Sequence, residues 1–282
     1  MHGLFVGLMT LDCIYQAQRP PQANEKLVAE TAMMAAGGPA TNAAVAFAAL
    51  GGKATVMSAV GQHPVTALLR EDMAQVGVSI YDLTPQRQEP PPISSIVVSK
   101  ESGKRAVISR NAVGLQVEHQ PVGLTDTDIV LIDGHQMALS YQIAKVAKSL
   151  GIPVVVDAGS WKPGFEQVLA LATVVIASAN FQPPDGQDAL TYLQSLGVPY
   201  VAITHGERPI VFSDSNQVGQ LSVPTTTVVD TLGAGDIFHG AFCHAWVGDF
   251  SAALAEASQV ASVSCRYFGT RTWIADRRCF LA

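Results

Sequence analysis

Val228-Val-Asp-Thr-Leu-Gly-Ala-Gly-Asp-Ile-Phe-His-Gly-Ala-Phe242 is the stretch around which the rest of the chain can be read. Val228 and Val229 end a β-branched run, and Gly233-Ala234-Gly235 makes a turn of small residues with exposed backbone. Asp236 then opens an apolar stretch, Ile237 to Val247, of helical character. This pattern places the N–H groups of Gly233, Ala234 and Gly235 at a helix N-terminus, with a carboxylate in the first turn. Such an end carries unpaired donors and partial positive charge, which suits a phosphate or a phosphoryl group in transfer. A carboxylate beside it suits a general base that takes a proton from an attacking hydroxyl. A bare Gly-x-Gly-Asp, taken alone, reads better as a glycine turn with Asp236 starting the helix.

Composition narrows the classes. The chain has 282 residues, 48% hydrophobic and 14% charged, which excludes a disordered chain and gives room for one large α/β domain or two small ones. The net charge of −6, with no basic block, gives no indication of a nucleic-acid surface. Cys13, Cys243, Cys265 and Cys279 are scattered, without Cys-x-x-Cys spacing, and read as buried free thiols in a reducing compartment. The start lacks the charged-then-apolar pattern of a signal peptide, and the longest apolar run, Val168 to Ala179, is too short to span a bilayer. A soluble cytoplasmic protein is expected.

A second stretch decides how to read the first. Gly37-Gly38 lets backbone approach a ligand closely, Pro39 suits a first helical turn, and a helix is predicted from about Ala40 to Leu50, stopped by Gly51-Gly52. Asn42, near its start, is on local grounds a solvated or capping residue. Asp230-Thr-Leu-Gly-Ala-Gly-Asp236 resembles the C-terminal signature of the PfkB family of carbohydrate kinases, with the ribokinase-like fold. Gly37 to Gly51 resembles that family's N-terminal signature. The two lie in the family's order, and the resemblance covers most of the chain, more weakly between the signatures and at the C-terminal end. It implies an α/β fold with a mainly parallel central sheet, flanking helices and a small β lid, in one domain over residues 1–282. It also implies transfer of the ATP γ-phosphoryl group to a sugar hydroxyl. Asp236 would be the base, and the N–H groups of Gly233, Ala234 and Gly235 would stabilise charge on the transferring group. Asp12, Gly37, Gly38 and Asn42 would orient the acceptor. Asp230 lies where some members bind a monovalent cation such as K⁺, and it serves equally as a brace for the loop.

The remaining elements fit this frame. Leu4 to Met9 is a buried strand, and Asp12 lies just past it, where open α/β sheets collect ligands. Ile93 to Ser99 and Lys104 to Ser109 flank Glu101-Ser-Gly103 as a hairpin. By resemblance, segments from about 14–34 and 93–110 form the lid, whose closure excludes water. Arg110 and Asn111 end the hairpin, and Asn111 is a candidate acceptor contact. Asp128 to Ile132, Ala138 to Leu150 and Pro153 to Val156 alternate strand, helix and strand, the signature of a parallel sheet. His135 and Asp157 fall at strand ends: His135 is placed to touch the acceptor, and Asp157 could face the phosphates. Asn180, Thr204, Gly206, Thr231 and Ser258 match positions where the family handles nucleotide. Its Asn-x-x-Glu, tied to magnesium, here has Pro183 in place of the Glu. Mg²⁺ held mainly by water and ATP phosphates needs few protein ligands. Thr270 to Ala282 is unlike the family, and no function is assigned to it.

Other chemistries lack their motifs. There is no P-loop, no Gly-x-Gly-x-x-Gly after the first strand, no His-Glu-x-x-His and no Gly-x-Ser-x-Gly. Two alternatives stay open at this stage. One is a kinase of a nucleoside or phosphosugar, for which Arg105 and Arg110 would supply the extra cations. The other is a catalytically idle relative that binds sugar or nucleotide. A homodimer through the lid is the expected assembly.

Overall fold

The chain is described by a computed structural model covering residues 1–110, 115–117, 123–214 and 217–280. Seven strands run parallel: β1 (His2–Val6), β4 (Lys53–Ser58), β5 (Val78–Asp82), β8 (Ile129–Ile132), β9 (Val154–Ala158), β10 (Val174–Ser178) and β11 (Tyr200–His205). An antiparallel hairpin, β12 (Arg208–Ser213) and β13 (Val218–Leu221), finishes one edge. The order across the sheet is β13-β12-β11-β10-β9-β8-β1-β4-β5. The inner strands are almost wholly apolar, as strands covered on both faces must be.

Strand alternation splits the core into two layers. Phe5, Val56, Leu131, Val155 and Ile176 point to one side, under α1 (Pro39–Ala49), α2 (Thr66–Gln75), α6 (Ala234–Ala245) and α7 (Phe250–Ser264). Val6, Met57, Ile132, Val156 and Ala177 point to the other, under α3 (Met137–Ser149), α4 (Phe165–Leu169) and α5 (Ala189–Ser195). No helix among the described residues is long and apolar enough to cross a membrane.

One packing detail positions the chemistry. A Cβ on Gly240 of α6 would stand 2.1 Å from the Ala43 carbonyl oxygen and 2.8 Å from Ala46 Cβ. Small residues on both helices therefore let α1 and α6 approach closely. Gly240 lies one turn after Asp236 and Ala43 directly follows Asn42, so this contact brings Asn42 to Asp236.

A separate four-stranded sheet, in the order β3-β2-β6-β7, forms the lid: β2 (Thr10–Ala17), β3 (Thr31–Gly37), β6 (Ile93–Ser99) and β7 (Arg105–Arg110). Ile14, Ile96 and Val98 bury one face of it against Met33, Leu232 and Phe268. Strand β3 begins only at Thr31, because β2 ends at Ala17 and the ladder closes at Gln16 with Thr31. The lid also reaches further, from Thr10 to Gly37 on its first two strands. Helices α4 and α5 lie outside the expected elements. Asp188, which caps α5 by accepting from the Thr191 N–H, is the signal that marks it in the sequence.

Candidate active site

Chain order reverses at β1, which lies between β4 on one side and β8 on the other. Such a switch point opens a crevice at the carboxyl ends of the strands. Asp133, one residue past β8, fills its floor. Its carboxylate accepts from Leu8 N (2.9 Å), Ala40 N (3.1 Å) and His135 N (2.9 Å), and pairs with His135 Nδ1 at 3.1 Å. It thus ties the end of β1, the start of α1 and the end of β8 together. A Cβ on Gly7 would lie 2.0 Å from Asp133 Oδ1, so glycine is required there. Burial pushes the Asp133 carboxyl up, but His135 and the N–H donors outweigh it and hold the group at about 2. Burial alone would lower the His135 pKa, and Asp133 reverses that to a net rise.

Asp12 lies on β2, across from Asp236. Thr10 Oγ1 donates to its Oδ1 at 2.5 Å, and the Ser94 hydroxyl also bonds it. A Cβ on Gly37 would overlap Asp12 Oδ2 at 1.9 Å, so the first glycine of the pair makes room for this carboxylate. Burial raises the Asp12 pKa, and Thr10, Ser94 and the Arg271 charge offset it in part. Gly38 has φ 101° and packs on the Leu8 carbonyl, where a Cβ would stand at 2.4 Å. Its carbonyl accepts from Asn42 N, the first bond of α1.

Asp236 sits opposite. Gly233, with φ 72°, starts α6, and Asp236 lies in the first turn. Asn42 Nδ2 donates to Asp236 Oδ2 at 2.8 Å across 194 residues of sequence. Burial first, then the Asp157 carboxylate, raise the Asp236 pKa to about 7; Asn42, His239 and Arg105 pull it down. His239 Nδ1 bonds the Gly235 carbonyl at 2.7 Å and lies 3.7 Å from Asp157 Oδ2. The expected anion hole needs one revision. Ala234 N–H donates to the Thr231 carbonyl at 3.3 Å, whereas the N–H groups of Gly233 and Gly235 meet no other backbone acceptor among the described residues. Those two N–H groups are left open at the start of α6.

Several expected contacts resolve differently. Asp230 Oδ1 accepts from Leu232 N and Oδ2 from Gly269 N, both at 2.8 Å, so it braces the loop; no cluster of three metal-ligating side chains occurs among the described residues. Thr231 bonds the lid turn at the Gly103 carbonyl through its hydroxyl (3.3 Å) and N–H (3.4 Å), rather than facing a nucleotide unengaged. Of the two candidate cations, Arg105 reaches the Thr231 carbonyl and hydroxyl. Arg110, five residues on, lies on the opposite face of β7 by strand alternation. Asn111 lies outside the described residues. Asn180, Thr204 and Gly206 gather at the adjoining ends of β10 and β11, where Ser178 pairs with Thr204. Ser258 is buried on α7 with its hydroxyl unpartnered. Pro183 is buried and offers no metal ligand.

The residue least visible in the sequence is Arg271. It comes from the C-terminal segment, just before a 3₁₀ helix (Thr272–Phe280), yet its Nη1 donates to Asn42 Oδ1 at 3.2 Å. Its Nη2 pairs with Asp72 Oδ2 at 2.9 Å. Asp133, Asp72 and Asp157 likewise join the site through the fold. Asp133 and Asp157, at strand ends, had a local signal; Asp72 had none.

The chain is similar to proteins of known kind. A ribokinase from Arabidopsis thaliana is 25% identical over 302 residues, covering 98% of this chain and 79% of its own. An ATP-dependent ribose-1-phosphate kinase from Halopiger xanaduensis is 25% identical over 283 residues, covering 95% of this chain and 93% of its own. The solved structure of Arabidopsis thaliana ribokinase complexed with ribose and ATP matches with a TM-score of 0.77 at 22% identity, over 99% of this chain and 97% of that one. Residues 3–277 match the family model described as pfkB family carbohydrate kinase, and the chain belongs to that family.

Proposed function

We propose that this ATP-dependent sugar kinase phosphorylates an uncharged sugar hydroxyl, with Asp236 as the general base. The observation that carries this is the pairing of Asp236 with the Asn42 amide beside the α6 N-terminus. A carboxylate with a pKa of about 7 is well matched to accept a proton at neutral pH. Its acceptor side is lined by Asp12 and Asn42, hydrogen-bonding groups suited to neutral hydroxyls. A phosphosugar is disfavoured, because Arg105 is engaged with Thr231 and Arg110 lies on the other face of its strand.

Each group has a distinct part. Asp12, held by Thr10 and Ser94, accepts from acceptor hydroxyls and orients them. Asp236 takes the proton of the attacking hydroxyl. The Gly233 and Gly235 N–H groups meet the growing charge on the phosphoryl oxygens, the positioning and electrostatic help that phosphoryl transfer needs. The lid turn, fastened to Thr231, keeps water from the reacting atoms. Asn180, Thr204, Gly206 and Ser258 are read as the nucleotide side. Mg²⁺ that arrives with ATP asks for only one or two carboxylates, and Asp157, buried at the end of β9 beside the base, fits that demand. When bound, the ion neutralises phosphate charge. K⁺ at Asp230 is not part of this reading, since both carboxylate oxygens already brace the loop.

A homodimer through the lid is also proposed. The lid face opposite Ile14, Ile96 and Val98 packs Leu11, Cys13 and Ile93 on the main core at one end and leaves Met34 at 66% and Ile108 at 81% exposure, on strands in one sheet. Free Cys13, Cys243 and Cys265 fit a cytoplasmic setting.

The test is ADP release with Mg·ATP against sugars, phosphosugars and nucleosides, run beside Asp236→Asn. Sugar-dependent turnover that falls by roughly 10²–10⁴ in the variant is expected. Full activity of Asp236→Asn would remove Asp236 as the base. Thermal stabilisation by sugar without turnover would support a binding protein instead.

A further inference from the structure

Arg271 is held from several sides. Its Nη2 donates to the Ala36 carbonyl and to Asp72 Oδ2 (2.9 Å), while the same Asp72 oxygen accepts from Ala36 N at 2.8 Å. Nη1 also donates to Thr270 Oγ1 at 2.9 Å, and Thr270 is itself buried. Trp273, fully buried, anchors the segment by donating from its indole nitrogen to the Thr270 carbonyl. The guanidinium is thus a fixed, planar fork with one Nη aimed at Asn42 Oδ1.

A guanidinium carries donors only, so the amide group facing it must be the Asn42 oxygen. That leaves the Asn42 NH₂ for Asp236. An NH₂ donated to a carboxylate favours its ionised form. An amide turned the other way would accept from the protonated acid and favour the form that cannot act as a base. Geometry alone rarely fixes amide orientation, and here the arginine chooses it.

We propose that Arg271 is a positioning residue for the phosphoryl transfer: by holding the oxygen of Asn42, it points the Asn42 NH₂ at Asp236 and keeps the base ready to accept a proton. This rests on Asp236 being the base. The lid strand shares the same grip, since Arg271 and Asp72 together hold the peptide of Ala36 next to Gly37-Gly38.

The test is the pH profile of kcat/KM for the accepted sugar, in the wild type, Arg271→Met and Arg271→Lys. In Arg271→Met the acid limb is expected to move up by about one pH unit, with about a fivefold loss at pH 7 that approaches tenfold well below it. Lys keeps a donor for the Asn42 oxygen and is expected to leave the limb within about 0.3 unit of the wild type. In an Asn42→Ala background, Arg271→Met is expected to cost less than about twofold, because the two act as one unit. Arg271→Met/Asp72→Leu removes the ion pair whole, so no lone carboxylate is left to unfold the chain, and it is expected to show the same shift. An unmoved acid limb in these variants, or losses that multiply in the Asn42→Ala background, would overturn the proposal while leaving Asp236 in place. A wild type without sugar-dependent ADP release would overturn the base reading, and this one with it.

Discussion

Replacing Asp236 with Asn is expected to make the protein more stable at alkaline pH while abolishing its turnover. The carboxyl is raised from its ordinary 3.8 to about 7, by burial first and by the Asp157 charge second. In the unfolded chain an aspartate titrates near 3.9. Between about pH 4 and pH 7 the native state therefore holds a proton that the unfolded chain has released, and stability falls as pH rises through this window. Above pH 7 the loss is complete. Three units at 1.36 kcal/mol each put its ceiling at about 4 kcal/mol. Asp236 keeps some contact with solvent, which screens the effect, so about 1–3 kcal/mol is a realistic size. The asparagine side chain is isosteric, can still accept from Asn42 Nδ2, and carries no charge to desolvate or to repel Asp157. The gain should therefore be present at pH 8 and vanish at pH 4. At roughly 2 °C per kcal/mol for a chain of this size, the melting midpoint should rise by about 2–6 °C at pH 8. Thermal melts of both proteins from pH 4 to 9, without nucleotide or sugar, measure the difference. A variant of equal or lower stability at pH 8, or a gap that does not depend on pH, would refute the claim that the base is held at a cost in stability.

Three further outcomes follow from single contacts. Gly37→Ala puts a methyl 1.9 Å from Asp12 Oδ2 and should displace that carboxylate, raising the sugar KM by about tenfold or more while leaving the ATP KM within about twofold; steady-state kinetics in both substrates separates the two. Asp133→Asn, which swaps one acceptor oxygen for an NH₂ among N–H donors, should lower stability by about 3 kcal/mol in urea melts, because a buried charged partner is removed from Leu8, Ala40 and His135. Ile108→Lys on the outer lid face should convert a dimer to a monomer in sedimentation velocity with turnover intact; an unchanged oligomeric state would move the interface elsewhere.

How far the site could be read from the chain depended on whether its chemistry was local. The Gly233-Ala234-Gly235-Asp236 turn and the Gly37-Gly38 pair announce themselves, because each needs particular residues at adjacent positions: a left-handed glycine at Gly233, and at Gly38 a backbone pressed against Leu8. Apolar runs likewise marked the strands of the main sheet, since strands buried on both faces have no polar positions to hide them. Asp157 sits one residue before the end of β9 and could be suspected on that ground. Arg271 could not. It lies 229 residues from Asn42 and 199 from Asp72, in a segment without a recognisable pattern, and its meaning comes wholly from where buried Trp273 anchors the chain. Asp133 is the intermediate case: a strand-end acid by sequence, but a tie between three elements only once the sheet order places β8 beside β1. The same logic explains the expectations that shifted. Ala234, Asp230 and Thr231 sit inside the signature, and the resemblance made them candidate ligand contacts, with Asp230 equally a brace for the loop. Their hydrogen bonds instead go to Thr231, to Leu232 and Gly269, and to the lid turn at Gly103. A signature specifies the shape of a loop as well as its chemistry, and these hydrogen bonds maintain that shape.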